Sequence, residues 1–282
     1  MQTITSLAEL RPAVDRLRRD GALALVPTMG ALHDGHLTLV REARKVSAHV
    51  AVSIFVNPRQ FGPNEDLDAY PRQLARDSEL LIAEGVSLLW APPPQEVYPS
   101  GYSTNISVHG VSEGLCGADR PGHFDGVATV VCKLFNQVRP DLAFFGEKDW
   151  QQLAVIRRMA RDLDLVRPHV DAIHGVGIVR ENDGLAMSSR NAYLTPEQRN
   201  AAAALPREMR RAIMMISDGG KTQSILSDLV DRLIEAGFDH VDYAQMRRGD
   251  DLASLEKAEK GSRLFVAARI GGTRLIDNME IR

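Results

Sequence analysis

Two histidines three residues apart, His33 and His36, lie in the run Pro27-Thr28-Met29-Gly30-Ala31-Leu32-His33-Asp34-Gly35-His36. A short apolar run, 22–26, precedes it and reads as a buried parallel strand. The segment 37–43 follows it and reads as an amphipathic helix. Strand, glycine-containing loop and helix start form a phosphate-binding arrangement in α/β proteins, because backbone N–H groups and the positive end of the helix dipole face the ligand. Imidazoles placed there add donors for charge that develops on a phosphate.

The run matches neither G-x-x-x-x-G-K-[ST] nor G-x-G-x-x-G. An ordinary turn whose histidines cap a helix or sit in a polar core is the plain alternative. A zinc site fits poorly. The H-E-x-x-H spacing is missing, and no cysteine or third histidine lies nearby.

Other polar groups recur at predicted strand ends. Gly146-Glu147-Lys148-Asp149 follows the apolar run 142–145. A lysine there offers a point charge to phosphates, and a solvated surface lysine is the alternative. Gln152 lies one helical turn beyond Asp149 and could face the same crevice. Asn57-Pro58-Arg59-Gln60-Phe61-Gly62-Pro63 sets Gln60 between stiffening prolines. A fixed primary amide donates and accepts at once, so it suits a ligand carrying both hydroxyl and carboxylate. Met187-Ser188-Ser189-Arg190 follows the Gly184 turn, and its hydroxyls and guanidinium can donate to phosphate oxygens. Arg120-Pro121-Gly122-His123-Phe124 could supply a second phosphate or carboxylate contact, and a structural role is the favoured reading.

The elements that must position these groups alternate. A capping box at Ser6 and Glu9 predicts a helix to Arg19. Strands are predicted at 22–26, 50–56, 86–90 and 142–145. Helices separate them, one of them running from a cap at Asp125 to Val138. Strands alternating with helices predict right-handed βαβ units and a parallel sheet. Loops after such strands converge on one crevice. Beyond Arg180, Thr195-Pro196-Glu197-Gln198 predicts a capped helix over 196–217, with a second over 221–236. Strand-like runs follow at 240–246, 264–269 and 273–276. We therefore expect an α/β protein: a Rossmann-like parallel-sheet domain, 1–178, and a smaller α+β C-terminal lid domain, 179–282.

The chain has 282 residues, 44% hydrophobic and 25% charged, as a globular protein should. Its net charge of −3 gives no basic footprint for nucleic acid. Its two cysteines, Cys116 and Cys132, imply no disulfide framework. No apolar run reaches membrane-spanning length, and the first residues lack a signal-peptide pattern. These features predict a cytoplasmic enzyme or binding protein that engages neither nucleic acid nor membrane.

The 33–36 run resembles the His-Ile-Gly-His nucleotidyl-transfer enzymes. The ordered set is wider: 27–36, Phe55-Val56-Asn57-Pro58-x-Gln60-Phe61-Gly62, Arg120 to Phe124, Phe144 to Asp149 with Gln152, Gly184 to Asn191, and Leu275-Ile276-Asp277-Asn278. Taken together it closely resembles the pantoate–β-alanine ligase family. That resemblance implies a homodimer and a two-step reaction. ATP with Mg²⁺ and pantoate give pantoyl adenylate and pyrophosphate; β-alanine then gives pantothenate and AMP. It also implies residue roles. ATP is held by Met29, Gly30, Ala31, Leu32, His33, Asp34, Gly35, His36, Gly146, Glu147, Lys148, Asp149, Val179, Met187, Ser188, Ser189 and Arg190. His33, His36 and Lys148 act catalytically, with His36 matching the proton donor. Gln60, Gln152 and Met29 bind pantoate, and Gln60 also meets β-alanine. The stretch 162–179 departs from the pattern at the adenine-contacting Val179: it is longer than the family's, and Gly175-Val176-Gly177 lacks the family's proline before Val179-Arg180-Glu181. Two alternatives remain open, adenylyl transfer onto a phosphate and a nucleotide sensor without turnover.

Overall fold

A computed structural model describes residues 1–62 and 67–281. Pro63, invoked above as a stiffening residue, lies outside the described residues. The chain divides into two units. The first comprises Met1–Ser112, Arg120–Glu147 and Gln152–Gly177; the second comprises Glu113–Asp119, Lys148–Gln151 and the chain from Ile178 onward.

The first unit is built on six strands, β1 (Gln2–Ile4), β2 (Leu23–Thr28), β3 (His49–Ile54), β4 (Leu88–Trp90), β5 (Leu142–Gly146) and β6 (Ile173–Val176). All pair in parallel, in the order β1-β4-β3-β2-β5-β6. The parallel α/β expectation therefore holds, although β1 and β6 are too short to stand out in sequence. Side chains of the central strands are buried on both faces, as a parallel sheet requires. Ala24, Val26, Val50, Val52 and Leu89 pack with Leu37, Val40 and Ala43 of α2 (Asp34–Val46) and with Leu81 of α3 (Leu74–Ala83). On the other face Trp90, fully buried, donates its indole N–H to Gln137 at 3.1 Å.

Two boundaries differ from expectation. The helix at 123–138 is capped by Gly122 at φ 79°, not by Asp125, which lies inside its first turn. The first amides of a helix need acceptors or solvent before its own ladder begins, and the glycine turn starts the helix further upstream than a side-chain cap at 125 would. The predicted helix 196–217 is two helices, Pro196–Ala202 and Ala204–Ser217. Pro206 explains the break: it offers no N–H to the carbonyl of Ala202 and its ring crowds that carbonyl. The capping box at Thr195 and Gln198 is present as read.

In the second unit these helices, with another at Thr222–Glu235, pack on an antiparallel sheet. Its strands are β7 (His240–Arg248), β8 (Ser262–Ile270) and β9 (Thr273–Glu280), in sequential order. Leu205, Met209, Leu229, Leu233, Leu264 and Val266 form its core.

Candidate active site

The strand order of the first unit reverses between β2 and β5. From β2 the chain builds the sheet one way through β3 and β4, and from β5 the other way to β6. Loops leaving adjacent strands on opposite sides of such a point diverge and leave a crevice, which is where open α/β sheets bind ligands. The loops after β3, β2 and β5 are neighbours there. They carry Gln60, Met29 to His36, and Gly146 with Glu147.

The loop after β2 is built around an acid that sequence reading missed. Gly30 and Ala31 adopt positive φ, 85° and 51°. For Ala31 that conformation costs about 1 kcal/mol. Asp77, from the first turn of α3, offsets the cost. Its Oδ2 accepts from the Ala31 amide and its Oδ1 from the Leu32 amide, both at 2.9 Å. Asp77 is 1% exposed. A side chain on Gly30 would meet Asp77 and Ile54 at 3.1 Å each. Here the sequence expectation needs refinement. The amides of Ala31 and Leu32 already serve Asp77, and that of Gly30 serves Thr28. These three amides are therefore committed within the protein rather than open to a ligand.

His33 is the residue before α2, and its amide approaches Nδ1 of His36 at 3.4 Å. The two rings lie 4.1 Å apart, tilted by 38°. A His36 Nδ1 that accepts from this amide places the ring proton of the neutral imidazole on Nε2. Asp34 is exposed and pairs with Arg41 at 2.7 Å.

Gln60 ends a short 3-10 turn, Pro58–Gln60, beyond β3 and is 8% exposed. Its side chain is held by Asn57, whose Nδ2 donates to Gln60 Oε1 at 2.9 Å and to the Gly126 carbonyl at 3.1 Å. Its backbone carbonyl accepts from His123 at 2.8 Å and from Arg120 at 3.1 Å. The structural reading of the Arg120 to Phe124 segment is therefore the one the contacts support. Helix 123–138 lies directly on this turn. A Cβ on Gly126 would stand 2.2 Å from the Arg59 carbonyl oxygen. Asn57 was visible in sequence only as part of a longer motif, and Gly126 only as a residue of the predicted helix.

The second unit holds the other candidates. Lys148 lies in the 3-10 turn Glu147–Asp149, half-buried, and its ammonium has no partner among the described residues. Its backbone carbonyl accepts from Asn278 Nδ2 at 3.0 Å. Asp149 is exposed. Next to Gln152, which belongs to the first unit, Gln151 is buried and bonds Cys116 N at 3.0 Å and the carbonyls of Glu113 and Gly114. Gln151 is thus committed to the fold, and Gln152 keeps its amide without a protein hydrogen bond among the described residues.

The segment 179–190 is a folded-back loop. Arg180 pairs with Ala186 across it, and the Met187 amide donates to the Val179 carbonyl at 3.0 Å. Arg180 also forms a two-pronged ion pair with Asp277 of β9, at 2.6 and 2.9 Å. Asp277 is fully buried at its side chain. Ser188 caps the turn Ser189–Tyr193 by accepting from the Arg190 amide, so its O–H proton is left to donate elsewhere.

Within the first unit, a parallel sheet with a histidine-bearing loop at its switch point and an amide platform after the adjacent strand is the arrangement of an α/β enzyme that binds its ligands at the strand ends. Comparison with known proteins narrows this. A family model for pantoate-beta-alanine ligase matches residues 2–280. The pantothenate synthetase of Novosphingobium aromaticivorans is 65% identical over 100% of this chain and 99% of its own. That of Sphingopyxis alaskensis is 57% identical over 100% of both. Among solved structures, the pantothenate synthetase of Thermus thermophilus is similar with a TM-score of 0.90 and 46% identity, over 100% of this chain and 99% of that one. The pantoate-beta-alanine ligase of Francisella tularensis, solved with beta-gamma ATP and beta-alanine, gives a TM-score of 0.82 and 32% identity, over 99% and 97%. The chain belongs to the pantoate–β-alanine ligase family.

Proposed function

We infer that this chain condenses pantoate with β-alanine at the expense of ATP, through a pantoyl adenylate, releasing pyrophosphate and AMP. The observation that carries the reading is the side-by-side emergence of the His33–His36 loop and the Gln60 platform from adjacent strands at the switch point. A carboxylate is a poor electrophile. Transfer of AMP onto it supplies a good leaving group, and the main requirement is to align a carboxylate oxygen with the α-phosphorus. Gln60, Gln152 and Met29 hold pantoate for that attack. Gln60 also lies against β-alanine in the second step. His33, His36 and Lys148 meet charge that grows on the phosphates, with His36 as the proton donor. Gly146, Glu147, Asp149, Val179, Met187, Ser188, Ser189 and Arg190 complete the nucleotide contacts.

Mg²⁺ enters with the nucleotide. Among the described residues no group of three His, Cys, Asp or Glu side chains forms a cage. An ion carried on phosphates needs only one or two protein carboxylates, so the residues present fit it in that manner. We further propose a cytoplasmic homodimer; no helix among the described residues is long and apolar enough to cross a membrane.

Product analysis tests the reading. Purified protein with ATP, pantoate, β-alanine and Mg²⁺ should release AMP, and labelled pyrophosphate should exchange into ATP only when pantoate is present. Release of ADP would instead indicate an acyl phosphate. Exchange without pantoate would favour transfer onto a phosphate acceptor, and nucleotide binding without turnover would favour a sensor.

A further inference from the structure

The direction in which the Gln60 amide faces is fixed by groups whose polarity is set by their chemistry. The Arg59 backbone N–H can only donate, and it reaches Asn57 Oδ1 at 3.3 Å. The Gly126 carbonyl can only accept, and it takes Asn57 Nδ2 at 3.1 Å. Asn57 is thereby oriented, and its Nδ2 must donate to Gln60, which identifies the receiving atom as Oε1. Gln60 then turns its Nε2 away from Asn57, and among the described residues no acceptor takes its two protons. One of the two lone pairs on its oxygen is already committed to Asn57, so the amide presents itself to a ligand chiefly as a donor.

Tyr98 completes the set. Its hydroxyl donates to Asn57 Oδ1 at 2.9 Å. Its ring is wedged between Phe55, at 6.1 Å, and Tyr102, at 5.0 Å, and the Arg59 guanidinium lies 5.6 Å from its centre. Asn57 is 1% exposed, so its oxygen has little access to water that could replace the tyrosine. Burial pushes the Tyr98 phenol up to about 12, so the donor stays protonated across the physiological range.

We propose that Tyr98 is a positioning residue for the pantoate subsite: acting through Asn57, its hydroxyl holds Gln60 with Nε2 presented and Oε1 withdrawn, which makes the position a reader of acceptor oxygens such as those of a carboxylate. The proposal rests on the assignment of Gln60 to pantoate.

The test is a double-variant cycle on the full chain, read by calorimetry. Tyr98→Phe keeps the ring and removes only the hydroxyl. It should weaken pantoate binding by roughly five- to tenfold, the worth of one hydrogen bond, and leave ATP binding within about twofold. Gln60→Ala should weaken pantoate further. In the Gln60→Ala background Tyr98→Phe should have no additional effect, because its influence passes through the missing amide. A merely structural tyrosine would add its loss in both backgrounds, and that result overturns the proposal. So does unchanged pantoate affinity in Tyr98→Phe while Gln60→Ala is impaired. Unchanged affinity in Gln60→Ala overturns the pantoate assignment and the proposal together. A readout on the unmodified chain guards against a variant that fails to fold. The Gln60 side-chain NH₂ signals in NMR, identified by their loss in Gln60→Ala, should shift when pantoate is added. If only the Asn57 amide responds, the proposal is wrong.

Discussion

Lys148 carries a charge that no side chain neutralises among the described residues, yet its backbone is held by Asn278 from β9. A tethered main chain with an unpaired ammonium suits a group whose partner is a ligand. Lys148→Ala should lower pantoyl-adenylate formation in single turnover by about a hundredfold. Circular dichroism should be unchanged, since the Asn278 bond uses the backbone. Near-native turnover would make Lys148 an ordinary surface charge. At this scale the sequence drew attention to residues set in long motifs, such as His33, His36, Gln60 and Lys148. It was not legible for Asp77 and Tyr98. Asp77 contacts amides 46 and 45 residues away, and Tyr98 contacts a side chain 41 residues away. No local spacing encodes such partners. Gln151 and Gln152 illustrate the same limit: two adjacent glutamines on one helix differ only in what surrounds them.

The contact between helix 123–138 and the Gln60 turn is the most demanding packing at the level of elements. Gly126 lets the helix backbone rest on the backbone of Arg59 and Gln60; an added Cβ would stand 2.6 Å from the Arg59 carbonyl carbon and 3.0 Å from the Gln60 nitrogen. Alanine would gain roughly 0.5–1 kcal/mol of helix propensity over glycine. Overpacking against rigid backbone costs about 1–3 kcal/mol, so the clash wins. Gly126→Ala should lower the unfolding midpoint and weaken pantoate more than ATP, as thermal melts and calorimetry on each ligand would show. Equal losses for both ligands would mean that the disturbance spreads beyond the Gln60 turn. The elements themselves were largely legible, because apolar runs and capping residues are local. Legibility failed where it depended on neighbours. β1 and β6 are three- and four-residue strands that exist by pairing with β4 and β5. The break at Ala203 could have been found, since Pro206 was in view.

At the scale of the whole molecule, the second unit is stitched from three pieces of chain. Asp242 is central to it. The extra residue at a bulge in β7, it accepts from Arg269 at 3.0 Å and Arg274 at 2.6 Å, and Arg274 also reaches Asp119 at 2.8 Å. Burial pushes the Asp242 carboxyl up, the hydrogen bonds and positive charges of Arg269 and Arg274 together push it down by more, and the net is below the usual carboxylate range. A depressed carboxyl contributes stability above its unfolded value, and that contribution is lost as pH falls through its folded value. Asp242→Asn should therefore cost on the order of 3 kcal/mol near neutrality. The gap in melting temperature between it and the native chain should close below about pH 4. A gap that stays constant down to about pH 2, well below the ordinary carboxylate range, would show that the charge is not what matters.

The stitching also orders events in time. The segments 113–119 and 148–151 leave the ribosome long before β7 and β9, which with the turn after β7 supply Tyr243, Gly249, Arg274 and Asn278 as partners for Cys116, Trp150, Asp119 and Lys148. On a nascent chain these two segments can bond each other through Gln151 but wait for these later partners until β7 and β9 have been synthesised. Lys148 thus acquires its backbone tether among the last of all its contacts. A message truncated before β9 would encode every histidine and glutamine of the first unit and still leave the lysine untethered.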